Sequence, residues 1–104
     1  MNEVMHAGFG DAGFQDADLS FANLFMGKFI GSKFSRANLT DSHLGGADLT
    51  DADLSYANLS VADLTGANLN GANMYRANWR DTICPDGTIN DGTSPCTAEQ
   101  LMLA

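Results

Sequence analysis

From Phe9 to Trp79 one large apolar residue recurs at every fifth position without insertion: Phe9, Phe14, Leu19, Leu24, Phe29, Phe34, Leu39, Leu44, Leu49, Leu54, Leu59, Leu64, Leu69, Met74 and Trp79. Two positions before each of these centres stands a small residue, Ala everywhere except Gly27, Ser32 and Ser42. The position directly before a centre is usually Asp or Asn, as at Asp18, Asn38, Asp48, Asn58 and Asn78, and the two after it are mostly Ser, Thr, Gly or Asp. An amphipathic helix needs an apolar period near 3.6 and a half-buried strand a period of 2. A helix would spread period-five centres round its whole surface, and a flat strand would send them alternately to opposite faces. A chain that turns a corner after every five residues gathers them inside. Asp, Asn, Ser and Gly suit such corners because they make local backbone hydrogen bonds and tolerate unusual dihedrals.

The recurring A-(D/N)-L-x-x unit resembles the pentapeptide repeat family, over about residues 7 to 81. The resemblance implies an all-β fold, a right-handed quadrilateral β-helix (a solenoid) with four pentapeptides per coil and nearly four coils in this chain. Residues 20 apart would then stack, giving inner columns that begin at Phe9, Phe14, Leu19 and Leu24. Asp18, Asn38, Asn58 and Asn78 would share an outer column, where side-chain amides are placed to ladder between coils. The ends of such a stack carry unpaired backbone groups and open core, so they need lids.

Three segments follow: an N-terminal end at 1–6, the repeat at 7–81, and a C-terminal cap at 82–104. In the cap, Cys84 keeps the centre phase, Pro85, Gly87, Gly92 and Pro95 break the repeat, and Thr97 with Gln100 reads as a capping box opening a short helix. Leu101 and Met102 are placed to cover the last coil. Cys84 and Cys96 are the only cysteines. Their chemistry has three readings: a structural disulfide, two free thiols, or a metal or redox site. Zinc would need two further ligands, and only His6 and His43 are on hand. The "CPDGT…C" tail resembles family members of photosynthetic bacteria and plastid lumens, and this implies a disulfide bracket. The N-terminal end looks barer. Only Met1, Val4 and Met5 are available to close the Phe9 and Phe14 layer, which suggests an end-to-end homodimer through that end.

The formal net charge of -8, from 13 acidic and 5 basic residues, disfavours direct nucleic-acid binding and an anionic membrane. No apolar run reaches the roughly 18 residues of a membrane span. A filled interior offers no cleft for paired carboxylates, no Ser–His–Asp set can be assembled, and no phosphate-binding glycine pattern is present. No enzyme activity and no cofactor are expected. One outer stretch is unusual. Phe21, Phe25, Met26 and Ile30 fall at positions that should face water, and Lys28, Lys33 and Arg36 lie among them. Exposed apolar groups rimmed by charge mark interaction sites. The expected function is a non-catalytic structural or protein-interaction scaffold with an unknown protein partner. The alternative is an acidic DNA mimic that inhibits a type II topoisomerase, as some family members are. The cysteine pair points to an oxidising compartment, periplasm or thylakoid lumen after removal of a signal. The visible N-terminus, with no basic and apolar leader, points to the cytoplasm.

Overall fold

The computed structural model describes residues 9–90, 92, 95–97, 100 and 101. The N-terminal expectations for Met1, Val4, Met5 and His6 lie outside these residues, as does the one for Met102. Parallel backbone bridges link positions 20 apart throughout, from Gly13 with Lys33 to Asp63 with Ile83. They form four columns: Gly13–Lys33–Asp53–Asn73, Asp18–Asn38–Asn58–Asn78, Asn23–His43–Asp63–Ile83, and Lys28–Asp48–Asn68. Each bridging position directly precedes a centre, so each five-residue unit from 12–16 onward contributes one bridging position and the chain returns onto itself after four units. The bridges are isolated because each straight piece is too short to count as a strand before the chain turns.

The corners repeat as regularly as the centres. The carbonyl of each centre accepts the N–H three residues on, from Phe9 with Ala12 (3.0 Å) to Trp79 with Thr82 (3.2 Å). The residue two past each centre has a positive φ, as at Asp11 (60°), Phe21 (62°), Tyr56 (61°) and Val61 (61°). A positive φ at the third residue of a hydrogen-bonded turn is the type II signature. Between layers the centre N–H donates to the carbonyl 19 residues later, as from Leu39 to Asn58 at 2.8 Å, and the N–H of Asn58 returns to Ala37 at 2.9 Å. The backbone groups of the middle layers are thereby paired across layers, as a dry interior requires.

The core follows the four columns. Leu24, Phe29, Phe34, Leu39, Leu44, Leu49, Leu54, Leu59, Leu64, Leu69 and Trp79 are buried almost completely, Leu19 nearly so, and Phe9, Phe14 and Met74 are partly buried against them. Phe9 stacks on Phe29 (5.6 Å) and Phe14 on Phe34 (5.0 Å), while rings of neighbouring columns meet edge to face, Phe29 with Phe34 at 5.4 Å. Offset stacking within a column and edge contacts between columns are the arrangements aromatic quadrupoles favour. The small residues before the centres have no room to grow: Ala37, Ala47, Ala52, Ala57 and Ala62 are buried. Hydroxyls at these inner positions must find a carbonyl. Ser32 donates to Phe9 O (2.5 Å) and Thr82 to Leu59 O (2.8 Å). Ser42 Oγ and the indole Nε1 of Trp79 are buried with no hydrogen-bond partner among the described residues.

The stacking passes residue 81. Leu64 N–H donates to Ile83 O and Gly66 N–H to Pro85 O, and Cys84 sits fully buried. Thr82–Ile83 (β1) and Ile89–Asn90 (β2) then pair antiparallel. Between them Gly87 takes φ 88°, a conformation open to Gly without steric cost. Cys84 and Cys96 form a disulfide, the reading that the tail's resemblance implied. The capping-box pair is also present: Thr97 N–H donates to Gln100 Oε1 (2.8 Å) and Gln100 N–H to Thr97 Oγ1 (3.2 Å). Leu101 N–H donates to Thr97 O and its side chain is buried. Among the described residues no helix is present, and the segment that would complete one after Thr97 includes residues outside them.

Candidate functional site

With the centres inside, anything that meets another molecule stands on the outer columns or at the ends. The Asp and Asn that precede the centres are turned to their own corners. Asp18 Oδ1 accepts both the N–H (3.1 Å) and the hydroxyl (2.6 Å) of Ser20. Asn38, Asp48, Asp53 and Asp63 accept both donors of the residue two places on, and Asn58 accepts its N–H. The expected amide ladder over Asp18, Asn38, Asn58 and Asn78 is therefore replaced by an oxygen in each layer that caps the local backbone. These bonds explain why Asp and Asn recur at this position. They also hold the carboxyls of Asp18, Asp53 and Asp86 below the usual carboxylate range, with the hydroxyl of Ser20, Ser55 or Thr88 as the largest cause.

The stretch singled out for its apolar and basic side chains spans most of one 20-residue circuit, so its members face different ways. Phe21 lies at a corner of the Asn38 column, Phe25 and Met26 belong to the His43 column, Lys28 and Ile30 to the Asp48 column, and Lys33 and Arg36 to the Asp53 column. Phe21 is 73% exposed, and Phe25, Met26 and Ile30 are exposed as well. Phe25 and Met26 lean over the next layer at Gly45 and Gly46. A Cβ on Gly45 would stand 3.1 Å from the Phe25 ring, and one on Gly46 would collide with Met26 Sδ. The two glycines thus form a shelf on which a ring and a thioether rest while keeping an outer face to solvent. Lys33 and Arg36 do not rim this shelf. They stand on another side of the molecule.

On that side Arg36 makes a bidentate pair with Asp16, one layer away, through Nε (2.8 Å) and Nη2 (3.0 Å). The hydrogen bonds from Arg36 are the first cause of the lowered Asp16 carboxyl and of the raised Arg36 guanidinium. Tyr56 and Tyr75 meet edge to face at 5.8 Å, and the Arg76 guanidinium lies 5.5 Å from the Tyr75 ring centre while its Nε donates to Tyr75 Oη. The sequence reading passed over this cluster, because Tyr56 comes beside Arg36 and beside the adjacent pair Tyr75 and Arg76 only through the 20-residue return. His43 and Asp63 stack in one column facing outward. Among the described residues no group of three or more His, Cys, Asp or Glu is placed to hold a metal ion, and no helix is long and apolar enough to cross a membrane.

The five-residue units agree with what comparison finds. The family profile for pentapeptide repeats matches residues 32–71 and 42–81, with eight copies. A pentapeptide repeat protein, Rfr23, from the cyanobacterium Cyanothece is 29% identical over 72% of this chain and 58% of its own, with a TM-score of 0.53. HetL from the cyanobacterium Nostoc, a pentapeptide repeat protein involved in heterocyst differentiation regulation, is 30% identical over 81% of this chain and 43% of its own, with a TM-score of 0.43. A pentapeptide repeat protein from the Arabidopsis thaliana thylakoid lumen is 26% identical over 97% of this chain and 88% of its own, with a TM-score of 0.41. The chain spans about half the length of the two cyanobacterial proteins, 58% and 43%. No curated protein sequence matches it. The chain belongs to the pentapeptide repeat proteins, a β-helix family whose members are generally non-catalytic.

Proposed function

We propose that this chain is a right-handed, four-sided β-helix of nearly four coils that serves as a non-catalytic scaffold, offering fixed outer side chains to a protein partner. The observation that carries the reading is the contrast between interior and wall. The centres are buried, yet Phe21, Phe25, Met26 and Ile30 stand exposed on the same layer. Large apolar groups left in water at regular, rigid positions suit recognition. General acid–base chemistry needs groups converging on one reacting atom, whereas the described outer side chains point away from a filled interior. A second copy meeting the N-terminal end belongs to the same reading.

The test is the double variant Phe25→Ser with Ile30→Thr. Neither side chain fills the core, so circular dichroism and the melting temperature are expected to stay unchanged. Capture of a partner from the native cell extract, recovered with the wild-type chain, is expected to be lost. Collapse of the fold, or capture unaffected by the change, defeats the reading. The alternative, an acidic mimic of DNA, is less well supported. The longest extent of 28 Å falls short of one DNA turn of about 34 Å, and one side carries excess positive charge. A gyrase supercoiling assay separates the two, with no inhibition expected.

A further inference from the structure

The acidic charge is not spread evenly round the molecule. The side built on Phe14, Phe34, Leu54 and Met74 carries Lys33, Arg36 and Arg76 against Asp16 and Asp53, an excess of positive charge. The other three sides carry acid in excess: Asp11, Asp48 and Asp51 against Lys28; Asp18, Asp41 and Asp81 against Arg80; and Asp63 with Asp86 against no cation. Both tyrosines of the chain stand on the positive side, 53% and 59% exposed. They are not loose. Tyr75 is held between the edge contact with Tyr56 and the guanidinium of Arg76, and Arg36 is pinned by Asp16. Asp16 engages Nε and Nη2, so Nη1 of Arg36 is not used in that pair. Arg36 and Arg76 occupy one corner column two layers apart, about 10 Å at the usual spacing of neighbouring strands.

We infer that this side, distinct from the apolar shelf of Phe25 and Met26, docks an acidic protein segment. Its carboxylates pair with Arg36, Arg76 and Lys33, and its apolar side chains lie on Tyr56 and Tyr75. Charge complementarity selects the occupant. Among the described residues of this chain of net charge -8, this is the one side without an excess of acid, and the three acidic sides discourage binding elsewhere. Tyr and Arg held in fixed rotamers give large contact at low ordering cost. A nucleic-acid strand has the same sign of charge, but at a density the rest of this acidic molecule opposes.

The test uses the whole chain and a short fluorescein-labelled peptide alternating Asp with Leu, read by fluorescence anisotropy at low salt. Saturable binding is expected, weakened about fivefold or more by Arg76→Glu and by Tyr75→Ser. No binding is expected for labelled oligothymidylate, and any binding of the matching Lys and Leu peptide, drawn to the acidic sides, is expected not to weaken with Arg76→Glu. Lys33→Glu, remote from the tyrosine pair, provides a second variant if either change disturbs the fold. The Phe25→Ser with Ile30→Thr variant is expected to bind the peptide normally, so this inference and the shelf's role fail separately. Absence of saturable binding, binding indifferent to Arg76→Glu, Tyr75→Ser and Lys33→Glu, or equal affinity for oligothymidylate overturns the proposal.

Discussion

At the scale of the residue, the position two past each centre carries the tightest constraint. Left-handed φ costs an ordinary L-residue about 1–2 kcal/mol, and β-branched and bulky side chains fare worst. Yet Phe21, Met26, Arg36, Tyr56, Val61 and Arg76 all adopt it, at 56° to 62°. The turn hydrogen bond of each unit and its interlayer backbone bonds hold them there. Sequence reading marked the corners by their Ser, Thr, Gly and Asp but did not single out this position, because a large side chain there gives no local sign of a left-handed backbone. Val61→Gly is therefore expected to raise stability by up to about 1 kcal/mol, seen as a higher urea midpoint at unchanged slope. A lower midpoint would mean that contacts of the exposed Val61 side chain outweigh the backbone strain. Gly46→Ala should do the opposite, since its Cβ would meet both the φ of 65° and Met26 Sδ.

At the scale of the element, the repeating unit is self-sufficient at its corner and dependent on its neighbours along its sides. Each unit supplies its own turn and Asp or Asn cap, and takes its remaining hydrogen bonds from layers above and below. The last layer has no neighbour above, and there the chain changes character into the β1–β2 hairpin, the Cys84–Cys96 bond and the Thr97–Gln100 pair. The pattern of the sequence located this change from the breaking residues Pro85, Gly87 and Gly92. It could not choose among disulfide, free thiols and metal site, since spacing along the chain does not say how close two sulfurs come; their Cα atoms stand 6.0 Å apart. The bond closes a separation of 12 residues, worth about 3 kcal/mol in the chain-entropy account. Cys96→Ser, which spares the fully buried Cys84, is expected to lower stability by about that amount. Trp79, the sole tryptophan and fully buried, reports on the opening: its emission should shift to the red and become quenchable by acrylamide. Unchanged emission and stability would show that the layers hold without the bracket.

At the scale of the whole molecule, the many carboxylates act both as repelling charges and as caps. The caps at Asp18, Asp53 and Asp86, like the Asp16 pair, have folded-state pKa values below the ordinary one. Their contribution is complete above the unfolded value of about 4 and is lost as pH falls through the lower folded values. Asp53→Asn keeps the accepting oxygen, as Asn38 and Asn58 do naturally, but no longer titrates. Thermal unfolding followed from neutral pH to about pH 3 should therefore fall less steeply for this variant than for the wild type. Equal slopes would show that the Asp53 cap does not contribute. The fifteen centres and their small companions were legible along the chain, because the pattern repeats at short range, whereas the stacking runs past the expected start of the cap at 82 as far as Pro85. Which outer residues become neighbours was settled only in three dimensions. A period of five says that the chain turns, but not after how many turns it closes; the backbone hydrogen bonds between positions 20 apart decide that. They scatter Phe21 to Arg36 round the wall and bring Arg36, Tyr56 and Arg76 into one column, since lateral contact in a stacked chain depends on the length of the circuit and not on nearness in sequence.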